Sequence, residues 1–163
     1  GRFIPKDQIE AVGGMNTVQS KPNVGTTYKI YIYIKKTIWV IDDDAIFQII
    51  IRKIIEKSEI FSSLSIFQNG NEGLAAIKKA LEFNEILPDL LLLDIEMPIM
   101  DGWEFMEEIA QMNSPIVNKT AIYIASSSVA IEDKNRAKTY PNVLGFISKP
   151  VTVNDLQVIT SSF

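Results

Sequence analysis

The chain contains no cysteine and no histidine. Without cysteine there is no disulfide framework and no thiolate metal site, which fits a reducing compartment. Without histidine there is no imidazole base, no imidazole metal ligand and no residue that could carry a phosphohistidine. Proton or phosphoryl chemistry must therefore rest on carboxylates, hydroxyls and lysines. No apolar run approaches the roughly 20 residues that a membrane-spanning helix needs, and no leader peptide is expected from the first residues. A basic excess is missing too. Sixteen Lys and Arg stand against 20 Asp and Glu, a net charge of −4, so direct nucleic-acid binding is not expected.

What is present is ample apolar material in a regular order. The 163 residues are 47% hydrophobic, enough for one full domain and an extension. From residue 36 onward, strand and helix signals alternate. Thr37–Ile41, Leu64–Phe67, Leu90–Asp94, Ala121–Ala125 and Val143–Ile147 read as strands. Helical spacing follows each of them. It begins after Asp44, with Ile46, Ile49, Ile50, Lys53, Ile54 and Lys57 in register, and continues over Glu72–Phe83, Trp103–Met112, Ile131–Thr139 and Val151–Thr160. Five successive βα units predict an α/β fold, a doubly wound five-stranded parallel sheet with helices on both faces.

Residues 1–35 follow a different pattern. Ile4–Val12 reads as a short helix ending at Gly13-Gly14. Met15–Gln19 and Thr26–Ile34 read as the arms of a β-hairpin, with the turn over Ser20–Gly25. A helix plus a hairpin is too small to fold alone. The chain is thus expected to divide into an N-terminal piece, 1–35, and a complete domain, 36–163.

The polar residues at the strand ends carry the chemistry. Leu90–Leu93, bounded by Pro88-Asp89 and Met97-Pro98, has the pattern of a fully buried parallel strand and ends in Asp94. Open α/β sheets bind ligands at that end of their strands. The first strand ends in Asp42-Asp43-Asp44, the fourth in Ser126-Ser127, and the fifth in Lys149-Pro150. Each has an ordinary explanation when taken alone. An acidic run is usually a solvated loop, Asp44 reads as a helix cap, Asp101-Gly102 as a turn and helix start, and Phe146 as core. Brought to one sheet edge, they form a set: carboxylates for a hard cation such as Mg²⁺, a nucleophilic acid, a hydroxyl donor and an ammonium. Pro150 can impose a cis bond that aims Lys149 inward. Phosphoryl transfer needs these parts, because its catalysis is mostly positioning and charge neutralisation.

The acidic pair after the first strand, the LLLD-x-x-MP-x-MDG segment, the Ser after the fourth strand and the Lys-Pro after the fifth resemble the receiver domain of two-component response regulators, with its flavodoxin-like (βα)5 fold. The resemblance spans about 125 residues. It implies that Asp94 accepts a phosphoryl group from a histidine kinase or a histidine phosphotransfer protein. It implies that Mg²⁺ is held by Asp43 and Asp94 directly, by Asp42 through water and by the Glu96 main-chain carbonyl. Ser126 and Lys149 would meet the phosphoryl oxygens, and Phe146 would occupy the switch-aromatic position. A cytoplasmic location follows from the same resemblance.

Gln8-Ile-Glu-Ala-Val-Gly-Gly14 and Val18–Tyr28 resemble the end of a histidine-kinase ATP-binding domain. This implies a fragment of a hybrid histidine kinase that has lost the residues needed to hold ATP. Two other readings remain open. A haloacid-dehalogenase-type phosphohydrolase also uses an aspartate nucleophile and Mg²⁺. It carries Asp-x-Asp-x-Thr/Val after the first strand, however, and here Ala45-Ile46 follow Asp44. A receiver that is never phosphorylated and serves only for docking is the third.

Overall fold

The computed structural model describes residues 14–21, 25–32 and 34–163, with side chains from residue 34 onward. It divides into two compact units, 1–35 and 36–163.

Within the first unit, β1 (Gly14–Lys21) and β2 (Gly25–Ile32) pair antiparallel from Gly14 opposite Ile32 to Lys21 opposite Gly25. The expected hairpin is present. Its first arm is longer than expected, and its second arm is described over Gly25–Ile32. The helix expected over Ile4–Val12 lies outside the described residues.

The second unit alternates strand and helix: β3 (Lys36–Ile41), α1 (Ala45–Ser58), β4 (Phe61–Phe67), α2 (Gly70–Glu82), β5 (Leu90–Leu93), α3 (Gly102–Gln111), β6 (Ala121–Ser126), α4 (Ile131–Ala137), β7 (Val143–Ser148) and α5 (Val153–Thr160). The five strands form one parallel sheet in the order β4-β3-β5-β6-β7. The chain winds outward from β3 to β4, then crosses back to β5 and continues the other way. A crevice opens where the winding reverses, at the C-terminal ends of β3 and β5.

The leucine run explains the two-sided core. All four residues of β5 are buried, and their side chains alternate between faces. Leu91 and Leu93 pack with Leu74 and Ile77 of α2 and Phe105, Met106 and Ile109 of α3. Leu90 and Leu92 pack with Phe47, Ile51 and Ile55 of α1 and Leu156 and Ile159 of α5. A strand covered on both faces has no use for alternating polar residues, which is why it reads as an unbroken apolar run.

One expectation fails. Of the expected α1 register, Ile54 packs against the core, but Ile46, Ile49 and Ile50 do not face the sheet. These side chains are 70%, 60% and 45% exposed, and Lys53 and Lys57 lie on the exposed side as well. The buried stripe is Phe47, Ile51 and Ile55. Apolar residues surround this helix nearly all the way, so spacing alone matched two faces. β4 also begins three residues earlier than expected, because Phe61 and Ser63 already pair with β3. Its Ser62 and Ser63 are exposed on an edge strand, and that polarity hid them.

Candidate functional site

Asp44 caps α1, its side chain accepting from the backbone N–H groups of Ile46 and Phe47 at 2.9 and 3.2 Å. The cap fixes the loop that presents Asp42 and Asp43. Asp42 is buried. Its Oδ1 accepts the Asp44 N–H at 2.9 Å, and Gln48 Nε2 donates to its main-chain carbonyl at 2.6 Å. Asp43 is exposed at the mouth.

Asp94 continues β5 into the same crevice. It is buried, and its Oδ1 accepts the Glu96 N–H at 3.2 Å. The following loop is held close by the start of α3. Asp101 and Glu104 form a reciprocal capping box there, as the Asp-Gly pair suggested. Gly102 N donates to Ile95 O at 3.2 Å, and a Cβ at Gly102 would lie 2.4 Å from the Asp94 carbonyl oxygen. Ile99 sits in this loop at φ 71°, 81% exposed. The left-handed region costs a β-branched residue on the order of 1–3 kcal/mol.

Lys149 directly follows β7 and is joined to Pro150 by a cis bond, as its sequence context allowed. Its Nζ donates to Asp42 Oδ2 at 2.5 Å and to Asp94 Oδ2 at 3.3 Å, and lies 4.4 Å from the centroid of the Phe47 ring. Burial pulls the pKa of this ammonium down. The hydrogen bond to Asp42 and the charges of Asp42 and Asp94 outweigh burial, so the net shift is upward. Burial pushes the Asp42 carboxyl up from its ordinary range. The Lys149 bond and the Asp44 N–H recover only part of that, and the Asp94 charge adds to the rise.

Ser126 is buried at the end of β6. Its Oγ donates to Ser128 O at 2.6 Å and accepts the Ser128 N–H at 3.3 Å. Phe146 is half-buried on β7 and packs against the α2–α3 side of the core. Glu96 is exposed beside the pocket.

Sequence reasoning missed two side chains here. Phe47 lies on the other face of α1 from Ile46, Ile49 and Ile50, and spacing alone does not favour its face. Trp103 was not singled out, yet its Nε1 donates to Asp133 Oδ1 at 3.0 Å, while Asp133 Oδ2 accepts the Ala130 N–H at 3.3 Å. Arg136 lies over the Trp103 ring and pairs with Glu107. These contacts tie α4 to α3, and no local pattern joins residues 30 apart.

Asp42, Asp43 and Asp94 each offer a carboxylate oxygen, and the three oxygens lie within 4.8 Å of one another. Hard oxygen donors in a cluster of this size suit a hard divalent cation such as Mg²⁺. The residues present therefore fit the ion that the sequence implied.

A doubly wound parallel sheet with an acidic crevice at its winding reversal, a lysine across it and a buried serine beside it has the groups in place that suit a cation and a phosphoryl group. The family described as response regulator receiver domain matches residues 38–160, and the chain belongs to it. A two-component response regulator from Cytophaga hutchinsonii shares the fold with a TM-score of 0.69 at 30% identity, over 78% of this chain and 96% of that one. Over 115 residues the chain is 28% identical to the chemotaxis protein CheY of Halobacterium salinarum, covering 71% of this chain and 85% of that protein. Over 88 residues it is 38% identical to the DNA-binding transcriptional regulator NtrC of Salmonella typhimurium, covering 52% of this chain and 17% of that protein. The chain spans less than half the length of most of the curated relatives it matches. Among the described residues, no helix is long and apolar enough to cross a membrane.

Proposed function

We propose that this receiver domain is a phosphoacceptor in a two-component phosphorelay, with Asp94 as the nucleophile. The observation that carries the reading is the carboxylate of Asp94, buried at a strand end and bonded to Lys149, with the carboxylates of Asp42 and Asp43 in reach. An Asp94 oxygen attacks the phosphorus of a partner's phosphohistidine. The P–N bond breaks and its electron pair stays on the imidazole nitrogen. Asp43 and Asp94 would hold Mg²⁺ directly, with Asp42 acting through water and Glu96 through its main-chain carbonyl. The bound ion supplies charge neutralisation for the transferring phosphoryl oxygens. Lys149 exchanges a carboxylate partner for a phosphoryl oxygen, and Ser126 turns from its own loop to donate to another. Phe146 then repacks as the β7 face adjusts.

The partner would be a histidine kinase or a histidine phosphotransfer protein. The exposed stripe Ile46, Ile49, Ile50 supports this, because it begins directly after the acidic loop and offers apolar surface beside the pocket. By their sequence resemblance we read residues 1–35 as the tail of a histidine-kinase ATP-binding domain, a reading under which the chain would be part of a hybrid kinase acting in the cytoplasm.

The test is intact-mass measurement after treatment with acetyl phosphate and Mg²⁺. One added phosphoryl group on wild type and none on Asp94→Asn is expected. A label that persists in Asp94→Asn defeats the assignment. Rapid turnover of phosphomonoesters with no stable adduct would favour the phosphohydrolase reading.

A further inference from the structure

We infer that Phe47 is a positioning residue for Lys149, its ring face acting as a third partner that keeps the ammonium inside the pocket. The inference rests on the phosphoacceptor reading of Asp94.

Lys149 Nζ bonds the carboxylates of Asp42 and Asp94 and also meets a ring. That ring is Phe47, with Nζ 4.4 Å from its centroid, well inside the range of a cation–π attraction. The pair is well shielded from water. Phe47 is 7% exposed, and the Lys149 side chain 15%. Shielding matters because such attractions strengthen as water is removed.

The ring is also fixed relative to the acids. The Phe47 backbone N–H is held by Asp44, the residue after Asp43, and the next residue, Gln48, bonds back to the Asp42 carbonyl. Core residues anchor the ring from below, since it packs in the cluster that includes Ile147 and Val151 on either side of Lys149-Pro150. One short segment, residues 42–48, therefore supplies both the carboxylate that Lys149 bonds and the surface it rests on.

A hydrogen bond would not serve equally well in this place. Lys149 must shift when the charge on Asp94 changes from carboxylate to acyl phosphate. Hydrogen bonds weaken steeply with angle, whereas the attraction of a ring face is broad. The ammonium can slide across the ring toward new oxygens without first being released. The ring also covers one side of a flexible four-carbon stem, limiting excursions into water. Leucine in its place would fill the core but offer no negative face.

The experiment is a double-mutant cycle read by labelling with acetyl phosphate and Mg²⁺. Phe47→Leu should slow labelling by about 5- to 30-fold, the factor expected for losing a shielded cation–π contact. Phe47→Tyr, which keeps the ring face, should restore most of the rate. In a Lys149→Met background, Phe47→Leu should add no further slowing. Equal slowing in both backgrounds would mean that the ring merely fills the core, and the inference would fall.

A second readout needs no metal and no phosphoryl donor. In wild type and Phe47→Tyr, ring current should shift the ε-methylene protons of Lys149 upfield, and in Phe47→Leu it should not. Lys149→Met identifies the signal. Unshifted protons in wild type would overturn the contact itself. If Phe47→Leu does not fold, Phe47→Met takes its place. Wild type that takes no label removes the phosphoacceptor reading and this role with it. Labelled wild type with an unaffected Phe47→Leu removes only this role.

Discussion

Replacing Gly102 by alanine adds one methyl group where α3 meets the end of β5. The new carbon would lie 2.4 Å from the Asp94 carbonyl oxygen and 2.8 Å from Ile95 Cα. Both are backbone atoms, and the first contact is about 1 Å short of an ordinary van der Waals distance. No rotamer change can relieve it, so either the α3 start or the Asp94 main chain must move. Overpacking of this kind costs about 1–3 kcal/mol. Alanine's better helix propensity offsets up to about 1 kcal/mol of that. The net loss should be about 1–2 kcal/mol, a fall in Tm of roughly 3–8 °C for a unit of this size. Labelling of Asp94 should suffer more, because a displacement near 1 Å at a reacting group can cost on the order of 100-fold in rate. Gly145→Ala is the control. Its nearest neighbour is the Tyr123 side chain at 3.2 Å, which can give way. Thermal melts and initial labelling rates of the two variants decide the matter. If Gly102→Ala melts with wild type and labels at the wild-type rate, the close junction is not what positions Asp94.

Three further outcomes are expected. In metal-free protein, the raised pKa of Asp42 means that the folded state keeps a proton the unfolded chain has lost above its ordinary value of 3.8. Stability should therefore fall as pH rises from 3.8 through the folded pKa, and this component of the slope should vanish in Asp42→Asn; denaturant titrations from pH 3 to 7 measure it. Added Mg²⁺ should raise the Tm of wild type by relieving repulsion among Asp42, Asp43 and Asp94, with a clearly smaller rise in Asp43→Ala; equal shifts would place the ion elsewhere. Ile49→Asp, on the exposed face of α1, should slow transfer from a phosphorylated histidine phosphotransfer protein by 10-fold or more on the order expected for a charge placed in an apolar contact, while labelling by acetyl phosphate stays within about twofold; parallel slowing with both donors would remove α1 from the docking surface.

The sheet and the pocket were legible because their signals are of the kind that burial writes into sequence. Leu90–Leu93 could hardly be anything other than a strand covered on both faces, and the acids, Ser126 and Lys149 each follow an apolar run that stops abruptly. Position relative to those stops was enough to gather residues more than 100 apart, such as Asp42 and Lys149. The orientation of α1 was not legible. Ile46, Ile49 and Ile50 satisfy helical spacing as well as Phe47, Ile51 and Ile55 do, and only the route from β3 through the Asp44 cap chooses between the two faces. The Lys149–Phe47 contact depends on which face turns inward, so it is hidden for the same reason. The tie from Trp103 through Asp133 to Ala130 was hidden for another reason. It joins the first turns of two helices through side chains whose local roles, core and cap, are already complete descriptions of them.

Ser126 gives its hydroxyl a consequence beyond placement. A hydroxyl has one proton, and here that proton is committed to the Ser128 carbonyl at 2.6 Å. An oxyanion on the neighbouring strand end would compete with that carbonyl for the same proton. On the phosphoacceptor reading of Asp94, a bond across the crevice would therefore be made at the expense of the bond that closes the loop between β6 and α4 on itself, and new charge at Asp94 would loosen that loop.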